Sequence, residues 1–242
     1  MNCLEIARLP RLDFACTESM NSLATNLFYC GEDVKTIMIT SRYAEEGKSF
    51  VTMNLLRTIA SLQKRVILLD TDLRRSRLVS QYRIRFQNDT PFGLTHYLAG
   101  RCDLEDIIYQ TNIADAYLIP IGREVESSLQ LLSSSRMPAL MEKLENEFDI
   151  ILVDTPPAGV IVDALEIAKY CSGALIVVSC NRGRKQDIAD VTNAIKNTGC
   201  PVLGAVLNNV EFGSYTNRKY YYKSERYASY YHGSYKPYSS KV

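Results

Sequence analysis

Short apolar runs rich in branched residues recur along the chain, with stretches of helical spacing between them. These runs lack the alternation of apolar and polar positions that a half-exposed strand shows, so both faces of each strand are expected to be covered. Strands that alternate with helices predict an α/β fold, with a doubly wound, mostly parallel sheet and helices on both faces. The predicted strands cover residues 36–40, 66–70, 116–119, 150–154, 174–178 and 202–207.

The stretch from residue 48 to residue 63 has the apolar spacing of a helix. Its apolar positions, Val51, Leu55, Ile59 and Leu62, recur every three or four residues, which places them on one face that packs on the sheet. In an open parallel sheet, ligands bind at the carboxyl ends of the strands. The polar residues that follow the strands are therefore the candidates for a functional site.

The character of the sequence changes near its C-terminus, where aliphatic residues almost disappear. We expect this part to be a disordered tail, because it has little apolar surface to bury. The predicted organisation is an N-terminal helical segment (1–35), an α/β domain (36–212) and the tail (213–242). Nine of the sixteen tyrosines lie in the tail: Tyr215, Tyr220, Tyr221, Tyr222, Tyr227, Tyr230, Tyr231, Tyr235 and Tyr238.

Composition and charge are those of an ordinary soluble globular protein. Of the 242 residues, 46% are hydrophobic and 23% are charged, which suits one α/β domain with a proper core. The formal net charge of +1 argues against a nucleic-acid partner, because such proteins usually carry a basic excess. The seven scattered cysteines fit a reducing compartment, and residues 1–22 contain no apolar run typical of a signal peptide. We therefore expect a cytoplasmic protein.

A phosphate-binding loop is predicted between the first of these strands and the helix that follows it. The loop ends in Gly47, Lys48 and Ser49, and the order strand, loop and helix is the context that a P-loop requires. Gly47 would let the backbone approach a phosphate. Lys48 would neutralise the β- and γ-phosphate oxygens of ATP, and the Ser49 hydroxyl would ligate Mg²⁺.

The loop departs from the usual P-loop sequence at two positions. Arg42 stands where the first glycine is usual, and Glu45 stands where a smaller residue would give the backbone more freedom. Glu45 and Glu46 also add negative charge beside a polyphosphate. Taken alone, residues 47–49 are weak evidence for a phosphate site, and the alternative is a surface turn before a helix.

Acidic residues at the ends of two other predicted strands favour the phosphate site over the surface turn. Asp70 and Asp72 belong to the sequence DTDLR, and Asp154 precedes the sequence TPP. A carboxylate at the tip of a parallel strand beside a P-loop can hold a hydrated Mg²⁺. Transfer of a phosphoryl group to a tyrosine, whose pKa is about 10, also calls for a base. We assign Asp70 to the base and Asp72 to the organisation of Mg²⁺.

These motifs resemble those of the bacterial tyrosine autokinases of capsule and exopolysaccharide biosynthesis, over nearly the whole chain. Residues 39–41 and 46–49 are similar to the family's Walker A motif, residues 68–74 to its Walker A-prime motif, and residues 151–157 to its Walker B motif. The resemblance implies that Glu46, Gly47, Lys48, Ser49, Phe50 and Asn208 contact the nucleotide, that Ser49, Asp72 and Asp154 hold Mg²⁺, and that Lys48, Asp70 and Asp72 are catalytic.

The resemblance also implies a function and partners. The family phosphorylates its own tail tyrosines in trans, and the state of the tail controls polymer length and export. In split systems of the Gram-positive type, which this chain resembles in having no fused membrane segment, a separate transmembrane adaptor activates the kinase. Such an adaptor would recruit the protein to the inner face of the membrane, and a cognate tyrosine phosphatase would be a further partner.

The resemblance does not extend to every family motif. The E-x-x-R-x-x-R oligomerisation helix corresponds to Glu18, Asn21 and Ala24, so both arginines are missing and a homo-oligomeric ring does not follow from it. The usual proline-glycine pair of the loop is Ala44-Glu45, and Phe50 replaces a small residue.

The charge of the tail suggests a switch. Residues 215–242 contain six Lys or Arg and one acid, Glu225, and each added phosphate contributes a charge of about −1.5 to −2. Phosphorylation would therefore turn a tail attracted to an acidic cleft into one that is repelled. The simpler alternative is an aromatic, basic segment that only contacts a partner.

Two other functions fit parts of the same sequence. A partitioning or cell-division ATPase shares the sheet and similar acids, but such proteins carry a signature lysine in the loop where this chain has Tyr43. A non-catalytic nucleotide-binding regulator would fit the irregular loop at Arg42 and Glu45. ATP turnover without phosphotyrosine would favour the ATPase, and nucleotide binding with neither activity would favour the regulator.

Overall fold

The computed structural model describes residues 2–87, 91–180, 182 and 184–210. The predicted tail and its nine tyrosines lie outside these ranges. The strands are β1 (Asn2–Ile6), β2 (Thr36–Ser41), β3 (Val66–Asp70), β4 (Ile84–Phe86), β5 (Tyr109–Gln110), β6 (Ala116–Ile119), β7 (Ile150–Asp154), β8 (Gly173–Ser179) and β9 (Val202–Asn208). The α-helices are α1 (Phe14–Phe28), α2 (Lys48–Ser61), α3 (Leu78–Gln81), α4 (Leu94–Leu98), α5 (Ser128–Leu132), α6 (Arg136–Glu147), α7 (Asp163–Ala168) and α8 (Lys185–Lys196).

All six strands predicted from the apolar runs are present, and they form the parallel part of one sheet. The strand order is β4-β1-β5-β6-β3-β7-β2-β8-β9, and every neighbouring pair from β6 to β9 is parallel. All residues of β2, β3 and β7 are buried, which explains why their sequences do not alternate. The predicted doubly wound α/β fold is confirmed.

Three short strands at one side of the sheet were not predicted. β4 pairs with β1 in the antiparallel sense, and β5 pairs antiparallel with β6 and parallel with β1. These strands contain two to five residues, too few for hydrophobic periodicity to reveal. Because β1 lies within the first 35 residues, the segment expected to be only helical also contributes to the main sheet.

Two apolar layers cover the two faces of the sheet. One layer includes helices α1 and α2, and the other includes α4, α6, α7 and α8. The predicted helix at residues 48–63 is confirmed as α2, with Val51, Leu55 and Ile59 fully buried. Leu62 lies just past the end of the helix and is 48% exposed, so the apolar face ends one turn earlier than expected.

Helix α1 contains the three residues, Glu18, Asn21 and Ala24, that correspond to the family's oligomerisation motif. Asn21 is exposed and its side-chain amide donates to Oε1 of Glu18 at 3.1 Å. Ala24 is fully buried in the layer that α1 shares with α2. An arginine at this position would meet the protein's own core instead of a neighbouring subunit.

The strand order places the candidate residues together. β7 lies between β2 and β3, so the phosphate loop after β2 and the acids at the ends of β3 and β7 share one edge of the sheet. Asp70 and Asp154 are register partners, and Ile39 of β2 is the register partner of Asp154 on its other side. Among the described residues, no helix is long and apolar enough to cross a bilayer.

Candidate active site

A cleft of about 410 Å³ opens at the carboxyl ends of β2, β3 and β7. A volume of this order suits a small-molecule site. Seven of the predicted site residues line it: Gly47, Lys48, Ser49, Phe50, Asp70, Asp72 and Asp154. Glu46 and Asn208 belong to the same region, but they support the loop from behind.

The phosphate loop needs glycine at position 47. Its φ is 91°, in the left-handed region that favours glycine. A Cβ at this position would also lie 1.9 Å from Nδ2 of Asn208. That amide donates to the carbonyl oxygen of Glu46 at 3.0 Å, so the end of β9 fixes the last turn of the loop. Asn208 thus acts on the loop backbone through its side-chain amide.

Glu46 fixes the loop from inside the protein. Its side chain is 1% exposed. Oε2 accepts from the backbone N–H of Tyr43 at 2.8 Å, and Oε1 accepts from the backbone N–H of Ser179 at 3.3 Å. The carboxylate therefore shapes the loop and ties it to β8, and only the backbone of Glu46 remains for a nucleotide phosphate.

The two unusual loop residues have different structural consequences. Glu45 adopts a φ of 65°, a left-handed conformation that disfavours side chains other than glycine by about 1–2 kcal/mol. Arg42 is turned away along the loop, where its Nη1 donates to the carbonyl oxygen of Gly159 at 3.4 Å and its Nε lies 3.9 Å from Oδ1 of Asp187. The missing glycine at 42 therefore requires no left-handed backbone, whereas Glu45 adopts one.

Ser49 and Asp154 form the direct link between the phosphate loop and β7. The Ser49 hydroxyl donates to Oδ2 of Asp154 at 2.7 Å, and Thr52 donates to Oδ1 at 3.4 Å. Burial raises the pKa of Asp154 to about 6, although the Lys48 ammonium and the Ser49 hydroxyl act in the opposite direction. This pairing of a loop hydroxyl with a strand-end carboxylate is the arrangement that holds Mg²⁺ in P-loop NTPases.

Asp70 and Asp72 occupy different environments, as their separate assignments require. Asp70 is 2% exposed. Its Oδ2 accepts from the Ser76 hydroxyl, and its Oδ1 accepts from the backbone N–H of Asp72 at 3.2 Å. Burial, together with repulsion from Asp154, raises the pKa of Asp70 well above its usual range. Asp72 is half-buried, and its pKa is raised mainly by desolvation.

The donor set fits a hydrated Mg²⁺ better than a metal cage. Within the described ranges, no three His, Cys, Asp or Glu side chains are close enough to bind one metal together. Magnesium commonly keeps several waters and uses one or two carboxylates with substrate phosphates. The three acids line one cleft as predicted, but Ser49 with Asp154 is the only pair of predicted ligands in direct contact among the described residues.

Three residues at or behind the cleft were missed by the sequence analysis. Ser76 lines the cleft and orients Asp70, and the buried Tyr82 supports the loop by donating its hydroxyl to the carbonyl oxygen of Ser49 at 3.1 Å. Arg75 also lines the cleft. No motif marks these three residues, and only the fold around α3 brings them to the site. Arg77 lines the cleft as well, and its position shortly after Asp72 is equally compatible, in the sequence alone, with a phosphate contact and with a solvated basic turn.

Arg74 has a structural partner. Its Nε and Nη2 donate to the two carboxylate oxygens of Asp163 at 2.8 and 3.3 Å, and the Ser128 hydroxyl donates to the same carboxylate. Asp163 is fully buried at the start of α7. The pair ties the loop after β3 to the helix that follows β7, so it fixes the spacing of the segments that carry Asp72 and Asp154.

Known proteins match both the fold and the site-bearing region. A family model described as AAA domain matches residues 34–199. Tyrosine-protein kinase CpsD of Streptococcus agalactiae is 32% identical over 205 residues, which cover 83% of this chain and 88% of that protein. The kinase domain of the Escherichia coli tyrosine kinase ETK superposes with a TM-score of 0.76 at 27% identity, covering 82% of this chain and 77% of that chain.

The rival ATPase class shares the same fold at lower similarity. The septum site-determining protein MinD of Pyrococcus horikoshii, solved with Mg-ADP, has a TM-score of 0.61 at 26% identity and covers 72% of this chain and 69% of that chain. The common fold and loop indicate a nucleotide-binding protein of the P-loop class. The kinases match more of the chain in both sequence and structure.

The strain at Glu45 predicts the effect of a glycine. We expect Glu45→Gly to be more stable than Glu45→Ala by about 1 kcal/mol, because only glycine adopts a φ of 65° freely. Urea denaturation of both variants measures the difference. Ala44 is a matched control in the same loop without a positive φ, where glycine should instead be destabilising. Equal stability of the two variants at position 45 would contradict the strained backbone.

The buried carboxylate of Asp154 predicts a gain in stability when its charge is removed. Since its pKa is about 6 in the folded state and about 4 when unfolded, the folded state binds more protons between pH 4 and pH 6, and its stability falls as the pH rises through this window. Without nucleotide or metal, Asp154→Asn should therefore be more stable than the parent protein by about 2–3 kcal/mol at pH 8.

The measurement is denaturant unfolding in EDTA at several pH values from 5 to 8. The stability difference between Asp154→Asn and the parent should grow with pH. Glu147→Gln, at an exposed position, serves as the control and should change stability by less than about 0.5 kcal/mol. A variant that is less stable at pH 8 would show that the Ser49 contact outweighs the desolvation of the charge.

Proposed function

This chain belongs to the bacterial tyrosine-protein kinases, the family of capsule and exopolysaccharide autokinases that its motifs resemble, and we propose that it uses Mg-ATP to phosphorylate its own C-terminal tyrosines in trans. The observation that carries the proposal is the 2.7 Å hydrogen bond between Ser49 and Asp154. It joins a Lys-bearing phosphate loop to a strand-end carboxylate, which is how P-loop enzymes organise a metal-bound triphosphate.

The proposed roles follow from the positions of the side chains. Lys48 would neutralise phosphate oxygens, and Ser49, Asp154 and Asp72 would hold Mg²⁺, directly or through water. Magnesium, when bound, supplies charge neutralisation on the phosphates. Phosphoryl transfer mainly requires this positioning and charge compensation, with one group to orient the nucleophile.

Asp70 is the proposed base. A catalytic base works best when its pKa is close to the working pH, and the direction of the shift at Asp70 is upward. Transfer forms the bond between the tyrosine oxygen and the γ-phosphorus and breaks the bond to the β,γ-bridging oxygen, while the phenolic proton passes to Asp70. The Ser76 hydroxyl donates to Oδ2 and the backbone N–H of Asp72 donates to Oδ1, so both oxygens are held in place, and a remaining lone pair of the carboxylate would receive the phenolic proton.

The cleft offers an apolar surface for the ring of an acceptor tyrosine. Pro157, Val160 and Ile161 line it after β7, and Val160 is 66% exposed. An apolar side chain that is this exposed contributes little to folding, because it buries little of its own surface. It can contribute more to binding, when a ligand covers it. We assign this surface to the tyrosine ring.

The proposed partners follow from the family resemblance. They are a transmembrane adaptor that recruits the kinase to the inner face of the membrane, a cognate tyrosine phosphatase, and a second copy of the chain as the substrate. The buried Ala24 argues against assembly through the family's arginine motif in α1. A second copy would therefore have to be met through another surface.

Mixing two full-length variants, one without a working site and one without tail tyrosines, tests the proposed reaction. One chain carries Lys48→Met with an intact tail, and the other carries an intact site with all nine tail tyrosines changed to Phe. With labelled ATP and Mg²⁺, the Lys48→Met chain should become labelled on tyrosine only when the second chain is present, because transfer occurs in trans. Asp70→Asn in the second chain should lower the rate by 10²-fold or more.

Each other outcome has a meaning. ATP turnover without phosphotyrosine would point to the ATPase class, and nucleotide binding without turnover would point to a regulator. Phosphotyrosine on the variant that lacks all nine tail tyrosines, at the level of the parent protein, would place the acceptors elsewhere.

The apolar surface gives a separate prediction. Val160→Ser should raise the KM for a peptide of residues 217–225 about fivefold, because part of a valine's buried apolar area is lost, and should leave the KM for ATP unchanged. Val162→Ser is the matched control, since Val162 is also exposed, at 56%, but does not line the cleft. Equal effects of the two variants would remove Val160 from the acceptor site.

A further inference from the structure

Two arginines at the cleft lack a strong partner within the described ranges. Arg75 and Arg77 are exposed and line the cleft beside Asp72. The Arg75 guanidinium forms no ion pair there, and Nη1 of Arg77 lies 3.6 Å from Oε1 of Glu45, in a pair whose side chains are 57% and 65% exposed. Exposed pairs of this kind contribute at most about 1 kcal/mol. Both guanidinium groups are therefore available to an anion.

The neighbouring Arg74, in the same turn, has a structural role and serves as a comparison. Arg74 is held in two hydrogen bonds by the buried Asp163. Arg75 and Arg77 make no such contact, although the backbone around them is fixed. The Arg75 N–H donates to Asp72, and the Ser76 hydroxyl accepts from the N–H of Leu78. The turn thus presents one unpaired and one weakly paired guanidinium from a rigid support at the edge of the proposed reaction centre.

We propose, on the basis of the function proposed above, that Arg75 and Arg77 form a phosphotyrosine subsite that holds a phosphate already on the tail while an adjacent tyrosine is phosphorylated. Guanidinium groups bind phosphate dianions through paired, charge-assisted hydrogen bonds. The nucleotide already has Lys48 and the magnesium ligands, so these two arginines serve a second anion.

The sequence of the tail supplies that anion only after a first transfer. Residues 215–242 contain one acid, Glu225, so an unmodified tail offers the subsite almost nothing. Tyr220, Tyr221 and Tyr222 are consecutive, as are Tyr230 and Tyr231. One phosphate in such a run places a dianion beside the next acceptor.

The consequence is that phosphorylation within a run accelerates after the first event. A simple release of the phosphorylated tail by charge repulsion would require a uniformly acidic cleft edge. The observed edge is mixed, because Arg75 and Arg77 line it together with Glu45 and Asp72. Glu45 also competes for Arg77. Removing the Glu45 charge should therefore strengthen the binding of a phosphorylated tail.

Peptide binding provides the first test and does not require catalysis. Two dye-labelled peptides of residues 217–225, one unmodified and one phosphorylated at Tyr221, are titrated against the full chain with Mg²⁺ and a non-hydrolysable ATP analogue. The phosphorylated peptide should bind about fivefold to tenfold more tightly, and this preference should weaken at high salt. The ratio of the two affinities should fall to about 1 in the double variant Arg75→Gln/Arg77→Gln. The ratio should increase in Glu45→Gln, which removes the charge but leaves the backbone strain at this position unchanged.

Kinetics with the same peptides provides the second test. The ratio of kcat/KM for the phosphorylated over the unmodified peptide should match the binding preference and be lost in the double variant. Arg101→Gln, an exposed arginine that does not line the cleft, should keep the ratio. Thermal unfolding of each variant confirms that the fold is intact.

Two results would overturn the subsite. One is equal binding of both peptides by the parent protein; the other is an unchanged ratio in the double variant, with a raised KM for ATP showing that the arginines serve the nucleotide. Absence of phosphoryl transfer to either peptide in every chain would instead count against the proposed kinase function. The binding preference still decides the subsite in that case.

Discussion

The hydrogen bond between Ser49 and Asp154 depends on one constraint, which is that β7 lies between β2 and β3 in the parallel sheet. Parallel strands deliver their carboxyl ends to the same edge. The phosphate loop after β2 therefore meets Asp154 directly and Asp70 one strand further on. A different strand order would leave the same residues in the sequence but would separate the lysine from the acids.

The same proximity places two buried carboxyl groups side by side, and the Lys48 ammonium offsets their charge only in part. Burial raises the pKa of both Asp70 and Asp154, and their mutual repulsion adds to the shift at Asp70. A site arranged in this way favours a divalent cation, because the cation compensates charges that the protein alone does not. The burial of these charges costs the fold stability at this edge, as expected of a site whose shape serves a ligand.

In the turn between β3 and α3, some polar side chains stabilise the turn and others face the cleft. Arg74 is bound to Asp163, and Ser76 is bound to Asp70, so these side chains fix the turn and orient Asp70, the proposed base. Arg75 and Arg77 alternate with them and face the cleft. Glu46 and Asn208 stabilise the phosphate loop behind the cleft: both bind its backbone, and Glu46 also binds the backbone of β8. The rigid support allows a loop with an irregular sequence to keep the shape of a phosphate site.

The sequence alone determined the six parallel strands, helix α2 and the residues at the strand ends, because these strands leave continuous apolar runs and the glycine-lysine-serine turn occurs together with acids at two strand ends. It could not reveal the short strands β1, β4 and β5, or that Ala24 is buried. Tertiary structure decided which candidates face the cleft: it turned Glu46 inward, placed Asn208 behind the loop, and brought Ser76, Tyr82, Arg75 and Arg77 to the site. Side-chain direction depends on contacts between segments distant in sequence, and no local pattern encodes those contacts.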